Sequence, residues 1–141
     1  MRIAGLEVDL PFIEDLGIEL VEFCDGHVVA RLDSLPRHCN ARGAIHGGAL
    51  MSLLDFVMAV SARRVLPDGT PDAHGNVTIE MKTSFLRPAT GRVTAIGRRV
   101  QGGATLNFCE GELRDAQDRI VARASGTFMR HRPDAGSVAA G

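Results

Sequence analysis

Five residues close together in the chain have types that can do chemistry: Asn40, His46, Gly47, Gly48 and Asp55. They lie in "NARGAIHGGALMSLLDFVMAVSA", a polar, glycine-marked loop that turns into a long apolar run with one carboxylate inside it. Gly47 and Gly48 stand where that run begins. A helix leaves its first backbone N–H groups unpaired there, and its dipole favours negative charge. Glycine also lets a ligand come close to the backbone. The pair therefore suits the oxyanion of a carbonyl under attack; a plain close-packing role for the glycines is the alternative. Asp55 is the sharper anomaly, because a buried carboxylate is costly unless it is paired or used. The positions three and four residues away are Met51, Ser52, Met58 and Ala59, none of them cationic. Three roles are open to it: a structural acid bonded to Ser52 or to backbone, a general base activating water, or a nucleophile. His46 either orients the site or is structural. Asn40 either positions water or serves its own turn.

Spacing adds a constraint. Asp55 lies eight residues beyond Gly47, and at about 1.5 Å of rise per residue the two stand roughly 12 Å apart along a helix. One carbonyl group does not reach both in a single chain. If both act on one carbon, Asp55 comes from a second copy whose helix runs antiparallel, as in a two-fold dimer.

The elements that must position these residues can be read from the surrounding pattern. "LPFIEDLG" reads as a short helix ended by Gly17. "IELVEFCDGHVVARLD" reads as a hairpin, with Ile18, Val21 and Phe23 before an Asp25-Gly26 turn and Val28, Ala30 and Leu32 after it. Gly47 to about Val65 is the one long helix, apolar nearly all round and therefore expected to be buried. Four strands follow. The first alternates Val77, Ile79, Met81 and Phe85 against Thr78, Glu80, Lys82 and Ser84; the last places Ile120, Ala122, Ala124 and Phe128 on one face. The order β-β-α-β-β-β-β, with a helix hydrophobic on every side, predicts α+β architecture in which a sheet of about six antiparallel strands curls around the helix. One domain is expected over residues 1–131, with residues 1–16 as a leading segment and 132–141 as a flexible tail.

Composition narrows the function classes. The chain has 141 residues, a formal net charge of −1, and neither Trp nor Tyr. No general nucleic-acid or membrane-surface partner is indicated. Asp55, Arg63 and Arg64 interrupt the apolar run, which argues against a membrane span. The three cysteines, Cys24, Cys39 and Cys109, have no CxxC spacing and read as free thiols, so a cytoplasmic location is expected. The five histidines are scattered without metal-ligand spacing. There is no GxSxG elbow, P-loop or dinucleotide fingerprint. No metal and no cofactor are expected.

Asn40, His46-Gly47-Gly48 and Asp55, in the pattern Asn-x5-His-Gly-Gly-x6-Asp, resemble the active-site signature of hotdog-fold acyl-CoA thioesterases of the PaaI-like (phenylacetyl-CoA) branch. "LGIELVEFCDGHVVARL" is similar to that family's opening hairpin, and "VTIEMKTSFLRPATG" to its strand after the helix, with the Arg87-Pro88-Ala89 ending. The similarity spans roughly residues 10 to 130. The resemblance implies hydrolysis of an acyl-CoA to a carboxylic acid and CoA. The N–H of Gly47 would be the oxyanion donor and Asp55 the base or nucleophile, with Gly48 at the substrate and His46 and Asn40 in support. Thr78 sits where some relatives carry a hydroxyl that bonds the attacking water. It further implies a dimer, or a dimer of dimers, with sites shared between subunits. CoA needs phosphate partners, for which Arg87, Arg92, Arg98 and Arg99 are candidates, Arg87 first because it belongs to the matching element. Two rival readings are a hotdog hydratase or dehydratase acting on acyl thioesters, and a non-catalytic acyl-CoA-binding module.

Overall fold

The computed structural model describes residues 1–3 and 6–131; the expected tail at 132–141 lies outside the described residues. Two two-residue strands, β1 (Arg2–Ile3) and β2 (Leu6–Glu7), pair with each other. Helix α1 (Pro11–Asp15) follows, with Pro11 at a first-turn position where its missing N–H costs nothing. It ends at Gly17, whose φ of 69° is left-handed. The hairpin follows as expected: β3 (Ile18–Cys24) and β4 (His27–Asp33) joined through Asp25 and Gly26, with Gly26 at φ 72°.

The long helix α2 runs Gly47–Ser61. It stops short of the expected Val65, because the chain there makes other bonds. The Arg63 N–H donates to Val60 at 3.1 Å, and the Val65 N–H donates to the Asp25 carboxylate at 3.0 Å. Strands β5 (Gly75–Phe85), β6 (Arg92–Gly102), β7 (Leu106–Asp115) and β8 (Ile120–His131) complete one six-stranded antiparallel sheet in the order β3-β4-β6-β7-β8-β5. Helix α2 touches all six strands. Six strands at about 4.8 Å spacing span far more than one helix about 10 Å wide, so the sheet must curve around α2, as the α+β hotdog reading requires.

Alternation supplies the core. Val28, Ala30 and Leu32 of β4, Val93 and Ala95 of β6, and Ala122, Ala124 and Phe128 of β8 face the helix and are buried. Gly97 and Gly111 sit opposite each other on β6 and β7. A Cβ on Gly97 would strike the Val57 carbonyl, and one on Gly111 would stand 2.9 Å from Leu54 Cδ2. The helix can lie this close only because both positions are glycine.

Two bulges break the predicted alternation. In β3 the register shifts between Leu20 and Glu22, which turns Val21 outward, away from Ile18. In β5 it shifts between Thr78 and Glu80. The structure therefore divides the expected apolar face: Val77 and Ile79 are exposed, whereas Met81 packs on the core and Phe85 against Gly47. Thr78 consequently looks toward the helix rather than sharing a face with Glu80, Lys82 and Ser84.

Candidate active site

Loop 39–46 is tied at several points before it delivers α2. Cys39 bridges Ile45, the Ile45 N–H bonds Ala89 at 2.8 Å, and the His46 N–H bonds the His38 carbonyl at 2.7 Å. Asn40 closes the loop's own turn. Its Oδ1 accepts from the Arg42 N–H at 2.9 Å and its carbonyl accepts from Gly43, whose φ is 77°. The turn role is thus the one its carbonyl and Oδ1 perform, and the residue also lines the cleft beside Gly47.

His46 is the N-cap of α2. Its backbone is extended, and Nδ1 accepts from the Gly48 N–H at 2.9 Å. The ring therefore keeps its proton on Nε2 when neutral. Capping consumes the Gly48 donor. Among the described residues the Gly47 N–H has no partner, so it is the donor left at the helix entrance. A Cβ at Gly47 would stand 3.3 Å from the Phe85 ring, which explains the glycine by packing as well as by ligand approach.

Asp55 does not lie in a wholly buried helix. Met51, Ser52, Asp55 and Ala59 form a stripe that is only partly covered, continuing from the exposed Gly48, while Leu53, Leu54, Val57 and Met58 are fully buried. Ser52 Oγ donates to the Gly48 carbonyl at 2.9 Å and is unavailable to the acid. The partner of Asp55 is Thr78, whose hydroxyl donates to Oδ1 at 2.8 Å. The β5 bulge makes this contact, and it leaves Oδ2 unengaged among the described residues.

Gly47 and Asp55 open into different spaces. A cleft of about 310 Å³ is lined by Asn40, Gly47, Leu50, Phe85, Leu86 and Arg87. A second of about 230 Å³ holds Asp55 together with Phe56, Arg63 and Asn76. Sequence reading missed Arg63 and Asn76. The available signal was two arginines placed directly after an apolar helix. A third depression, about 540 Å³, lies on the outer face of the sheet among Lys82, Arg98, Glu110, Glu112 and Arg123, away from both.

The four candidate arginines separate clearly. Arg92 is bidentate to Asp33 at 2.7 and 2.8 Å, and Arg99 is paired with Asp25 at 2.7 Å. Arg98 lines the outer depression. Only Arg87 shares a cleft with Gly47, and there its Nη1 donates to the Ile120 carbonyl at 2.8 Å.

The thioesterase-superfamily family model matches residues 42–122, more than half of the chain and the whole of the span from Gly47 to Arg87. The chain belongs to the thioesterase superfamily. A Halobacterium salinarum member carrying a provisional esterase name is 30% identical over 128 residues, covering 84% of this chain and 83% of that one. A conserved Pseudomonas aeruginosa protein of known structure is 30% identical, with TM-score 0.78 over 86% of this chain and 94% of its own. The E. coli PaaI protein of the phenylacetic acid degradation operon shares the fold at TM-score 0.75 and 23% identity, covering 84% of this chain and 83% of its own. Membership in the thioesterase superfamily makes the chain a thioester hydrolase, built on a hotdog fold.

Proposed function

We propose that this thioesterase hydrolyses acyl-CoA, and that its working unit is a two-fold homodimer with composite sites. The Gly47 N–H of one chain donates to the oxyanion that develops as the thioester carbon is attacked. Asp55 of the other chain either takes a proton from the attacking water and passes it to the leaving sulfur, or attacks the carbon itself to form a mixed anhydride that water then hydrolyses, restoring the carboxylate. The carbon–sulfur bond breaks, the sulfur leaves with a proton as CoA, and the acyl group leaves as a carboxylic acid. Thr78 holds the carboxylate, His46 caps the entrance, and Arg87 meets the CoA phosphates beside it.

The observation that carries this reading is the pinned, half-buried Asp55 carboxylate in a cavity separate from the free Gly47 N–H. The β5 edge supports the dimer. It pairs only with β8 and exposes Val77 and Ile79, at 45% and 53%. An unpaired apolar edge is a template for a second strand, and a two-fold β5–β5 pairing would set two α2 helices antiparallel. The free thiols Cys24, Cys39 and Cys109 fit a reducing cytoplasm.

The test is Asp55→Asn and Asp55→Ala, assayed for CoA release from a panel of acyl-CoAs. A fall of roughly 100-fold or more is expected for loss of a base or nucleophile. Wild-type turnover in a folded variant contradicts the assignment. Water addition to an enoyl thioester without CoA release would instead favour a hydratase.

A further inference from the structure

The cavity beside Asp55 has an unusual lining. Its walls are apolar, with Leu10 and Ile13 from the leading segment facing Phe56 and Val60 from α2. Its polar members are Asp55, Asn76 and Arg63. Two of these are already engaged. Asp55 accepts from Thr78, and Asn76 donates to the Ala59 carbonyl at 3.3 Å while accepting from Asn107 at 3.4 Å. Arg63 differs. Among the described residues its guanidinium makes no ion pair and no hydrogen bond. Asp72, the acid whose field reaches it, is held by His74 and Arg130. Burial pushes the Arg63 guanidinium below its ordinary value, and the field of Asp72 pulls the other way.

Position in the fold sharpens the point. Arg63 follows the C-cap of α2, just past the end of the partly covered stripe that runs from Ser52 through Asp55 and Ala59. The helix ends six residues beyond Asp55, roughly 9 Å along the axis, in the opposite direction from Gly48. A cation at a helix C-terminus gains from the dipole. That gain explains why a charge is tolerated there, but not why it lines the cavity of the catalytic acid with its donors unmet. A desolvated, unpaired charge is costly, and a carboxylate meets a guanidinium with two parallel hydrogen bonds.

We propose that Arg63 selects acyl groups whose far end carries a carboxylate, so that the preferred substrates are short dicarboxylic mono-CoA thioesters. This rests on the thioesterase reading above: the thioester carbon sits at Asp55, the chain runs along the Phe56 and Val60 wall, and the terminal carboxylate pairs with Arg63. A plain acyl chain of equal length leaves the guanidinium unpaired, and a site built around a polar partner discriminates strongly against such an analogue.

The experiment compares adipyl-CoA with hexanoyl-CoA, which match in chain length. Binding is measured by calorimetry on Asp55→Asn protein, where turnover is suppressed, and CoA release is measured on protein with Asp55 intact. Adipyl-CoA is expected to bind about tenfold tighter or more. Adding Arg63→Met should remove that preference without weakening hexanoyl-CoA, Arg63→Lys should keep part of it, and Arg63→Gln should lose most of it. Thermal melting confirms that each variant is folded. Equal affinity for the two thioesters, no binding of either, or equal weakening of both by Arg63→Met overturns the proposal. Equal CoA release from both overturns selection while hydrolysis stands. An Arg63-dependent preference in binding, with no CoA released from either, upholds selection and rejects hydrolysis.

Discussion

Thr78 shows how the acid is prepared. Its hydroxyl stands 2.8 Å from Asp55 Oδ1 and holds one carboxylate oxygen, which leaves the other for water or substrate. In the proposed mechanism it acts through Asp55, as a positioning residue. Thr78→Val keeps the shape and removes the donor. We expect kcat to fall about tenfold, the worth of one hydrogen bond, with KM held, and Thr78→Ser to restore most of the loss. Unchanged kcat in Thr78→Val with a fall in Thr78→Ser would mean that the methyl packing matters and the hydroxyl does not. His46 works in the same indirect way. By capping Gly48 it leaves Gly47 as the donor at the helix entrance. Thr78, Asp55, His46 and Gly47 were all named as candidates from the sequence. Spacing could not reveal that Ser52 turns to the Gly48 carbonyl and that Thr78, 23 residues away in the chain, takes its place beside Asp55.

The elements were largely legible, and the departures have local causes. The order of helix and strands followed from apolar periodicity and turn residues, and the α2 start followed from the glycines. Strand faces failed at the two bulges, because one extra residue reverses every side chain beyond it and no residue type announces it at Val21 or Ile79. The end of α2 was also misplaced, since the bond from the Val65 N–H to Asp25 is long-range. Another long-range tie secures the connection from α2 to β5. Asp72 is nearly buried and binds the His74 ring at 2.7 Å and the Arg130 guanidinium of β8. The His74 side chain first, then its N–H and the charges of Arg130 and His74, hold the Asp72 carboxyl at about 2, below the ordinary 3.8, against the effect of burial. Because the folded value is the lower one, this tie stabilises above about pH 4 and is lost as pH falls through about 2. The stability gap between wild type and Asp72→Asn should be on the order of 2 kcal/mol at pH 6 and close between about pH 4 and pH 2. Urea unfolding across that range reads it, and a gap independent of pH would show that the carboxylate charge is not its source.

The whole molecule is where the account makes its largest commitment. One chain offers a free helix-entrance N–H in one cleft and a pinned acid in another, about two helical turns apart. The curved sheet ends in an open, apolar β5 edge. The twelve-ångström argument was available from the sequence alone. The open edge was not, because it depends on β5 crossing over to pair with β8 and on the bulge that turns Val77 and Ile79 outward. The direct measurement is subunit mixing of Asp55→Ala with Gly47→Pro. Proline suits the first helical position, where it removes the N–H and fits the extended His46 before it, and Gly47→Ala, which adds the same Cβ beside Phe85 but keeps the N–H, controls for packing. Asp55→Ala and Gly47→Pro should each be inactive alone. After exchange of equal amounts, half the dimers are mixed and each has one intact site, so activity should recover to roughly one quarter of wild type. No recovery, with exchange confirmed, would show that Asp55 and Gly47 do not meet across a dimer and would contradict the account at its centre.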